Sequence, residues 1–375
     1  MLFSKEQRWI VWIFVAALLL SYFVMNRWLF TPIGTQSFGR LWQFYVSYTE
    51  FGFFRRGLIG SLLTLSGANS VLSNEYLTGY VMQHLAVLLL WFLVLRFMLL
   101  NRLVDPVLTI GIAFSPALFV HLGYNTGSLD AFVLVFALAN ILYTRSSVLF
   151  SLIVFAGILT HELFVFTIPA QLLAFAIRRG DLDVWPLLMP VLAGLAGCLL
   201  VWLQGHMDLT QDQMEEMLRQ QIPTAADRHE LWSGYGEINS SIRENIDQSI
   251  TRLMGEIQQG YPYLVLPLLY LGLLVTRLSL LCGAGLQRRL LVLAALTPLT
   301  VTVLAFDYYR WVAVSCVLAI ALTLVLLRDG AEPSRRLNLW ILAFCLLAPL
   351  GTVGLERPFP MHQFVIERIS AKLQP

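Results

Sequence analysis

The run IVWIFVAALLLSYFVM, residues 10–25, holds sixteen consecutive residues without a charge and follows Lys5 and Arg8. A basic flank before an apolar body also describes a secretory signal. No small-residue cleavage site follows it, however, and runs of the same kind recur along the chain, so it reads as an uncleaved first membrane helix. Composition agrees: 58% of the 375 residues are hydrophobic, 13% are charged and the mean hydropathy is +0.71, whereas about 25% of residues are charged in soluble domains. A formal net charge of +2 supplies no basic field for nucleic acid. Cys198, Cys282, Cys316 and Cys345 sit in or beside apolar runs without CxxC spacing, which points to buried thiols rather than disulfides or a thiolate metal centre.

A span takes roughly 17 to 25 mainly apolar residues. On that measure the expectation is an all-α, polytopic helical membrane protein with about eleven spans, within a range of ten to twelve. They fall near 9–28, 78–100, 106–121, 129–144, 147–160, 163–178, 184–203, 261–277, 288–306, 311–327 and 338–354. The whole chain, 1–375, reads as one transmembrane domain, with a first external loop at 29–77 and an external helical insertion at 204–260. Short connections rich in Lys and Arg, such as those carrying Arg178, Arg179, Arg288, Arg289, Arg335 and Arg336, belong on the cytoplasmic side. The N-terminus is then cytoplasmic and the C-terminus external, in what reads as a bacterial inner membrane.

Two external segments carry helical patterns of their own. In RLWQFYVSYTEFGFF (40–54), Leu41, Phe44, Tyr45, Tyr48 and Phe51 share one face, which predicts an amphipathic helix lying at the headgroup boundary. In SSIRENIDQSITRLMGEIQQ (240–259), Ile242, Ile246, Ile250, Leu253 and Ile257 do the same, and Ser241 with Glu244 has capping-box spacing. A shorter piece, LTQDQMEEMLRQQI (209–222), precedes it. These helices are expected to roof the external face.

A charge inside hydrocarbon costs several kcal/mol and persists mainly for function, so the positions of the ionisable groups are informative. Mid-span they are sparse: His84, with the neutral Gln83 and Asn140. At the external ends they gather. YTEFGFFRRGLIG (48–60) supplies Glu50, Arg55 and Arg56; LGYNTGSLD (122–130) supplies Tyr124, Asn125 and Asp130; THE (160–162) supplies His161 and Glu162; and FDYYRW (306–311) supplies Asp307, Tyr308 and Arg310. Structural readings stand beside each cluster. The arginine pair would serve as an interfacial anchor or as a phosphate site, and Asp307 with Arg310 would make a local helix-end ion pair. Residue 165 is Val, so THE is not the start of a zinc-protease motif. Taken together the clusters describe an aqueous pocket at one membrane surface, suited to a substrate that is half lipid and half polar.

This layout resembles the GT-C superfamily of integral-membrane glycosyltransferases and the related polysaccharide polymerases: about ten spans, a first external loop with juxtamembrane helices and an acid, Glu50 in YTEFGFFRRG, and polar motifs at external helix ends. The resemblance implies a donor sugar on a polyprenyl phosphate or diphosphate, a glycan acceptor, and an acid of the first external loop acting as base or metal ligand. Many of these enzymes place two acids close together in that loop, whereas Glu50 stands alone between residues 26 and 74. On this expectation Glu50 is the base, with Asp130, Glu162 or Asp307 as substitutes, and His161 donates a proton or orients the acceptor. Arg55, Arg56 and Arg310 grip the phosphate, Tyr124, Asn125 and Tyr308 contact donor or acceptor, and Mg2+ or Mn2+ is an optional cofactor. Competing expectations are an O-antigen-type polysaccharide polymerase, an acyltransferase built on His161, and a non-catalytic carrier of lipid-linked glycans.

Overall fold

The structure, a computed structural model, describes residues 4–19, 41–68, 75–120, 128–180, 183–221, 235–236, 239, 242–258, 265–282, 285–303, 308–332 and 334–348. Among them there is helix, turn and loop but no strand. The helices are α1 (Lys5–Leu19), α2 (Tyr48–Phe51), α3 (Leu58–Ser66), α4 (Glu75–Leu100), α5 (Pro106–Ala113), α6 (Asp130–Leu142), α7 (Ser147–Thr160), α8 (Ile168–Arg179), α9 (Trp185–Gln204), α10 (Gln211–Gln221), α11 (Ile242–Gln258), α12 (Val265–Leu281), α13 (Leu286–Leu296), α14 (Tyr308–Arg328) and α15 (Arg335–Leu347). Starts are set by local chemistry. The Asp105 carboxylate accepts from Leu108 N–H at 2.6 Å, and Ser146 and Ser334 cap α7 and α15 in the same way. Gly67 and Gly180 end α3 and α8 in the left-handed conformation that glycine takes without steric cost.

Helix occupies most of the described part of each of the eleven apolar runs. Among the described residues three stretches are long and apolar enough to cross a membrane by themselves: Val81–Leu100, Trp185–Gln204 and Tyr309–Arg328. Five more are apolar but shorter, among them Ser147–Thr160, which at 1.5 Å per residue reaches about 21 Å against a hydrocarbon core of about 30 Å. Burial separates the long ones by position. The Tyr309–Arg328 window is buried throughout, whereas only 17% of the Trp185–Gln204 window is, so α14 is the axis of the bundle and α9 lies at its rim. Around α14 a continuous apolar core takes in residues of α1, α4, α5, α6, α8, α12, α13 and α15. At the rim, Gly194 and Gly197 let α9 close onto Ile168, Val154 and Ile158, where an added Cβ would meet side chains at 3.2–3.6 Å.

The aromatic stretch 40–54 departs from expectation. In place of one amphipathic helix on a membrane surface it forms a 3-10 turn, Leu41–Phe44, then extended backbone at Ser47 (φ −120°, ψ 152°), then α2. Trp42, Phe44, Tyr45 and Phe51 are buried, and they pack with Met207, Met214 and Leu218 from the 204–221 segment. The apolar periodicity is real, but protein covers it. Helix α11 lies within the segment 240–259 expected to be helical, yet its face is only partly covered: Leu253 packs on the core while Ile250 is 51% exposed. Ser241, of the expected capping box, lies outside the described residues.

Candidate functional site

Helices α2 and α3 form a tight hairpin whose turn carries the arginine pair. Gly60 lies so close to Val46 that an added Cβ would sit 2.1 Å from the Val46 carbonyl oxygen. Ser61 Oγ fastens the two ends together, accepting from Tyr48 N–H at 2.8 Å and donating to the Gly57 carbonyl at 2.7 Å. The Tyr48 ring stacks on Phe53 with centroids 4.9 Å apart. Arg56 takes φ 71°, a conformation rare for a residue with a Cβ. The turn so formed aims its guanidinium across the molecule at Glu162. Arg56 Nε donates to both carboxylate oxygens at 3.1 and 3.0 Å, and Nη2 donates to Oε1.

Glu162 begins the 3-10 turn Glu162–Thr167, which joins α7 to α8. His161 precedes it in extended conformation, 4% exposed. Its Nδ1 accepts from Leu163 N–H at 3.1 Å, so Nε2 is the protonated nitrogen of the neutral ring. Burial lowers the imidazole pKa to about 3; the Arg56 charge pushes the same way, Glu162 and Asp130 oppose it, and Arg310 adds to it. His161 is therefore neutral at any physiological pH. Burial would raise the Glu162 carboxyl, but the Arg56 charge, reinforced by His161, by the Arg56 hydrogen bonds and by Arg55, holds it well below the usual carboxylate range.

A second ion pair stands on the other side of the histidine. Arg310, in the first turn of α14, donates from Nε to Asp130 Oδ2 at 2.7 Å and from Nη2 to Asp130 Oδ1 at 2.6 Å. Asp130 opens α6 and is 1% exposed; Arg310 is 8% exposed. Ser128 Oγ sits between them, accepting from Asp130 N–H and from Arg310 Nη2, both at 3.3 Å. This is a bidentate fork closed over a separation of 180 residues.

Of the residues singled out from sequence, Arg56, His161, Glu162, Asp130 and Arg310 thus come together, with both ion pairs within electrostatic reach of His161. Arg55 lies beside them: its backbone N–H donates to the Gly205 carbonyl at 3.2 Å and its charge acts on Glu162. Glu50 differs from the other two acids. It is exposed on α2, and its Oε2 accepts from Ser47 Oγ at 3.0 Å and from Gln221 Nε2, on α10, at 2.7 Å. Among the described residues no arginine pairs with it. Tyr124, Asn125 and Asp307 lie outside the described residues, as does the side chain of Tyr308. Sequence reasoning missed Ser128 and Gln221; single polar residues in a turn or on a polar helix carry no signal that would mark them.

No group of three or more His, Cys, Asp or Glu side chains converges on a metal position among the described residues. Glu162 and Asp130 face arginines rather than an open position for Mg2+ or Mn2+, which favour several hard oxygens. All four cysteines are free thiols. Fold and site define an all-α protein with helices long and apolar enough to cross a membrane, in which two arginine–carboxylate forks flank a buried neutral histidine. No family profile, no curated protein and no solved structure matches the chain.

Proposed function

We propose that the protein is an integral-membrane glycosyltransferase of GT-C-like layout, with about eleven spans in a bacterial inner membrane. It takes a sugar from a polyprenyl phosphate or diphosphate at the external face and passes it to a glycan acceptor. One observation carries the reading: of the three candidate acids among the described residues, Glu162 and Asp130 are held by arginines, whereas Glu50 is exposed and no arginine pairs with it. A carboxylate locked in a bidentate fork is a poor proton acceptor, because protonation would break the fork. Glu50, oriented by Ser47 and Gln221, takes the role of base toward the acceptor hydroxyl. Arg55 and Arg56 supply positive charge where the departing phosphate gains negative charge. Glu162 fixes Arg56 in advance, and Asp130 fixes Arg310. The neutral His161 orients through its Nε2–H; with its pKa near 3 it does not act as an acid near neutral pH. No step runs through a metal.

The test is transfer from polyprenyl-linked sugar in membranes containing equal amounts of protein. Glu50→Gln is expected to lower the rate by at least about 100-fold, the usual scale for a general base, and Arg55→Ala to weaken turnover with less effect on protein level. Full product formation by Glu50→Gln would remove the reading. Products many repeat units long would assign the same pocket to a polysaccharide polymerase.

A further inference from the structure

Helix α9 runs from Trp185 to Gln204 without a charged side chain, and of its residues only Pro190, Gly194 and Gly197 are buried. Leu188, Met189, Leu192, Leu195 and Leu199 stand exposed along it. At its two ends Trp185 is 76% and Trp202 73% exposed. Indole has an apolar body and one N–H donor, and it concentrates in the headgroup layers of a bilayer. The two tryptophans are seventeen residues apart in the chain, at most about 25 Å along the helix.

The neighbouring helix carries the same ruler. A Cβ on Gly194 would meet Val154 at 3.6 Å, and one on Gly197 would meet Ile158 at 3.2 Å. Both positions rise together, so α7 and α9 run parallel with an offset of about 40 residues. That offset sets the exposed Arg145, just before α7, level with Trp185, and His161, which ends α7, within one or two residues of the level of Trp202. Between those markers α7 exposes Val148, Leu149 and Leu152. The Arg55 N–H donates to the carbonyl of Gly205, the residue that closes α9, which brings the arginine turn to the Trp202 level as well. The exposed residues of α9 cover nearly half its circumference and the apolar surface continues onto α7. A helix seated on it would cover a stripe about 100° wide and leave the rest bare, whereas hydrocarbon covers the whole of it.

We propose that the α7–α9 wall is a contact surface for phospholipid acyl chains, with Trp185 and Trp202 in opposite headgroup layers, and that it selects a hydrocarbon layer of about 25 Å, thinner than the average of about 30 Å. A span longer than the bilayer tilts to fit, but a short one is matched by a thinner bilayer; α6 and α15, of thirteen residues each, reach only about 20 Å. His161 and the Arg56–Glu162 fork then lie at the depth of one leaflet's phosphate groups. The proposal rests on the membrane reading and not on glycosyl transfer.

The test is thermal unfolding of the full chain in bilayers of dimyristoleoyl-, dioleoyl- or dierucoyl-phosphatidylcholine, whose acyl chains lengthen in that order. The Tm is expected to be highest in the dimyristoleoyl bilayer and to fall by several degrees at each step. Replacing both anchors, Trp185→Leu with Trp202→Leu, lengthens the apolar surface at two exposed positions and is expected to move the maximum to the dioleoyl bilayer. A parent maximum in either longer lipid would overturn the proposal, as would an unchanged order in the double variant. Carbene labelling from a diazirine on the acyl chain then locates the surface: tags are expected between Leu188 and Leu199, and on the exposed Leu88, Leu89 and Phe92 of α4. Labelling of α4 without α9 would overturn the wall and leave the membrane reading standing, and labelling of neither would remove both. Protection of α9 in a chain that native mass spectrometry finds dimeric would also overturn the proposal, by giving that surface to a second copy.

Discussion

Arg56 holds φ 71°, a left-handed conformation that costs a residue with a Cβ about 1–2 kcal/mol; its fork to Glu162 is the compensating interaction. His161, next in chain to Glu162, has the clearest pH signature in the site. A histidine lowered from 6.5 to about 3 takes its proton more readily in the unfolded chain across that interval. Its contribution to stability is therefore complete above about pH 6.5 and is lost as the pH falls toward 3. Glu162, also lowered, contributes above its ordinary 4.5 and loses that contribution on further acidification. Both act in one direction. The Tm of the purified protein is expected to fall from pH 6.5 to pH 4, and to fall less steeply between pH 6.5 and 4.5 in His161→Gln. A parent Tm that rises on acidification would contradict the burial of a neutral ring. Sequence alone places these residues at one face but says nothing of which acid faces which base: the structure pairs Arg310 with Asp130, 180 residues away, while Asp307 lies outside the described residues.

At the scale of elements, the α2–α3 hairpin positions Arg55, Arg56 and Glu50 together, and its geometry rests on Gly60. A methyl group there would stand 2.1 Å from the Val46 carbonyl. Backbone cannot yield as a side chain does, so Gly60→Ala is expected to cost about 1–3 kcal/mol, the range for overpacking, and to reduce transfer as the hairpin shifts. Gly255, inside α11, meets nothing within 4 Å, and Gly255→Ala should be neutral or stabilising by up to about 1 kcal/mol. Thermal unfolding of the two variants separates close approach from a general loss of glycine. The 40–54 segment shows the limit of periodicity. Spacing defines an apolar face, but membrane interface and protein core satisfy that face equally. Burial of Trp42 and Phe44 against Met214 and Leu218 follows from the position of a segment about 170 residues away.

For the whole molecule, the Asp130–Arg310 fork ties the start of α6 to the axial helix α14. Removing one partner leaves an uncompensated buried charge, so Asp130→Asn is expected to destabilise by about 3–5 kcal/mol. The double variant Asp130→Asn with Arg310→Met should recover part of that loss, because no charge is then left alone. Equal destabilisation by the single and double variants, read from thermal unfolding, would show that the pair is not coupled as the geometry requires. By itself the sequence determined the helical class, the approximate positions of most helices and the set of polar residues at their ends, because hydropathy and capping act over a few neighbouring residues. Only the tertiary structure decided that Glu162 and Asp130 are held by arginines while Glu50 is not, and that the aromatic segment turns inward. Those outcomes depend on which helices pack side by side, a contest among contacts distant in the chain that no local pattern encodes.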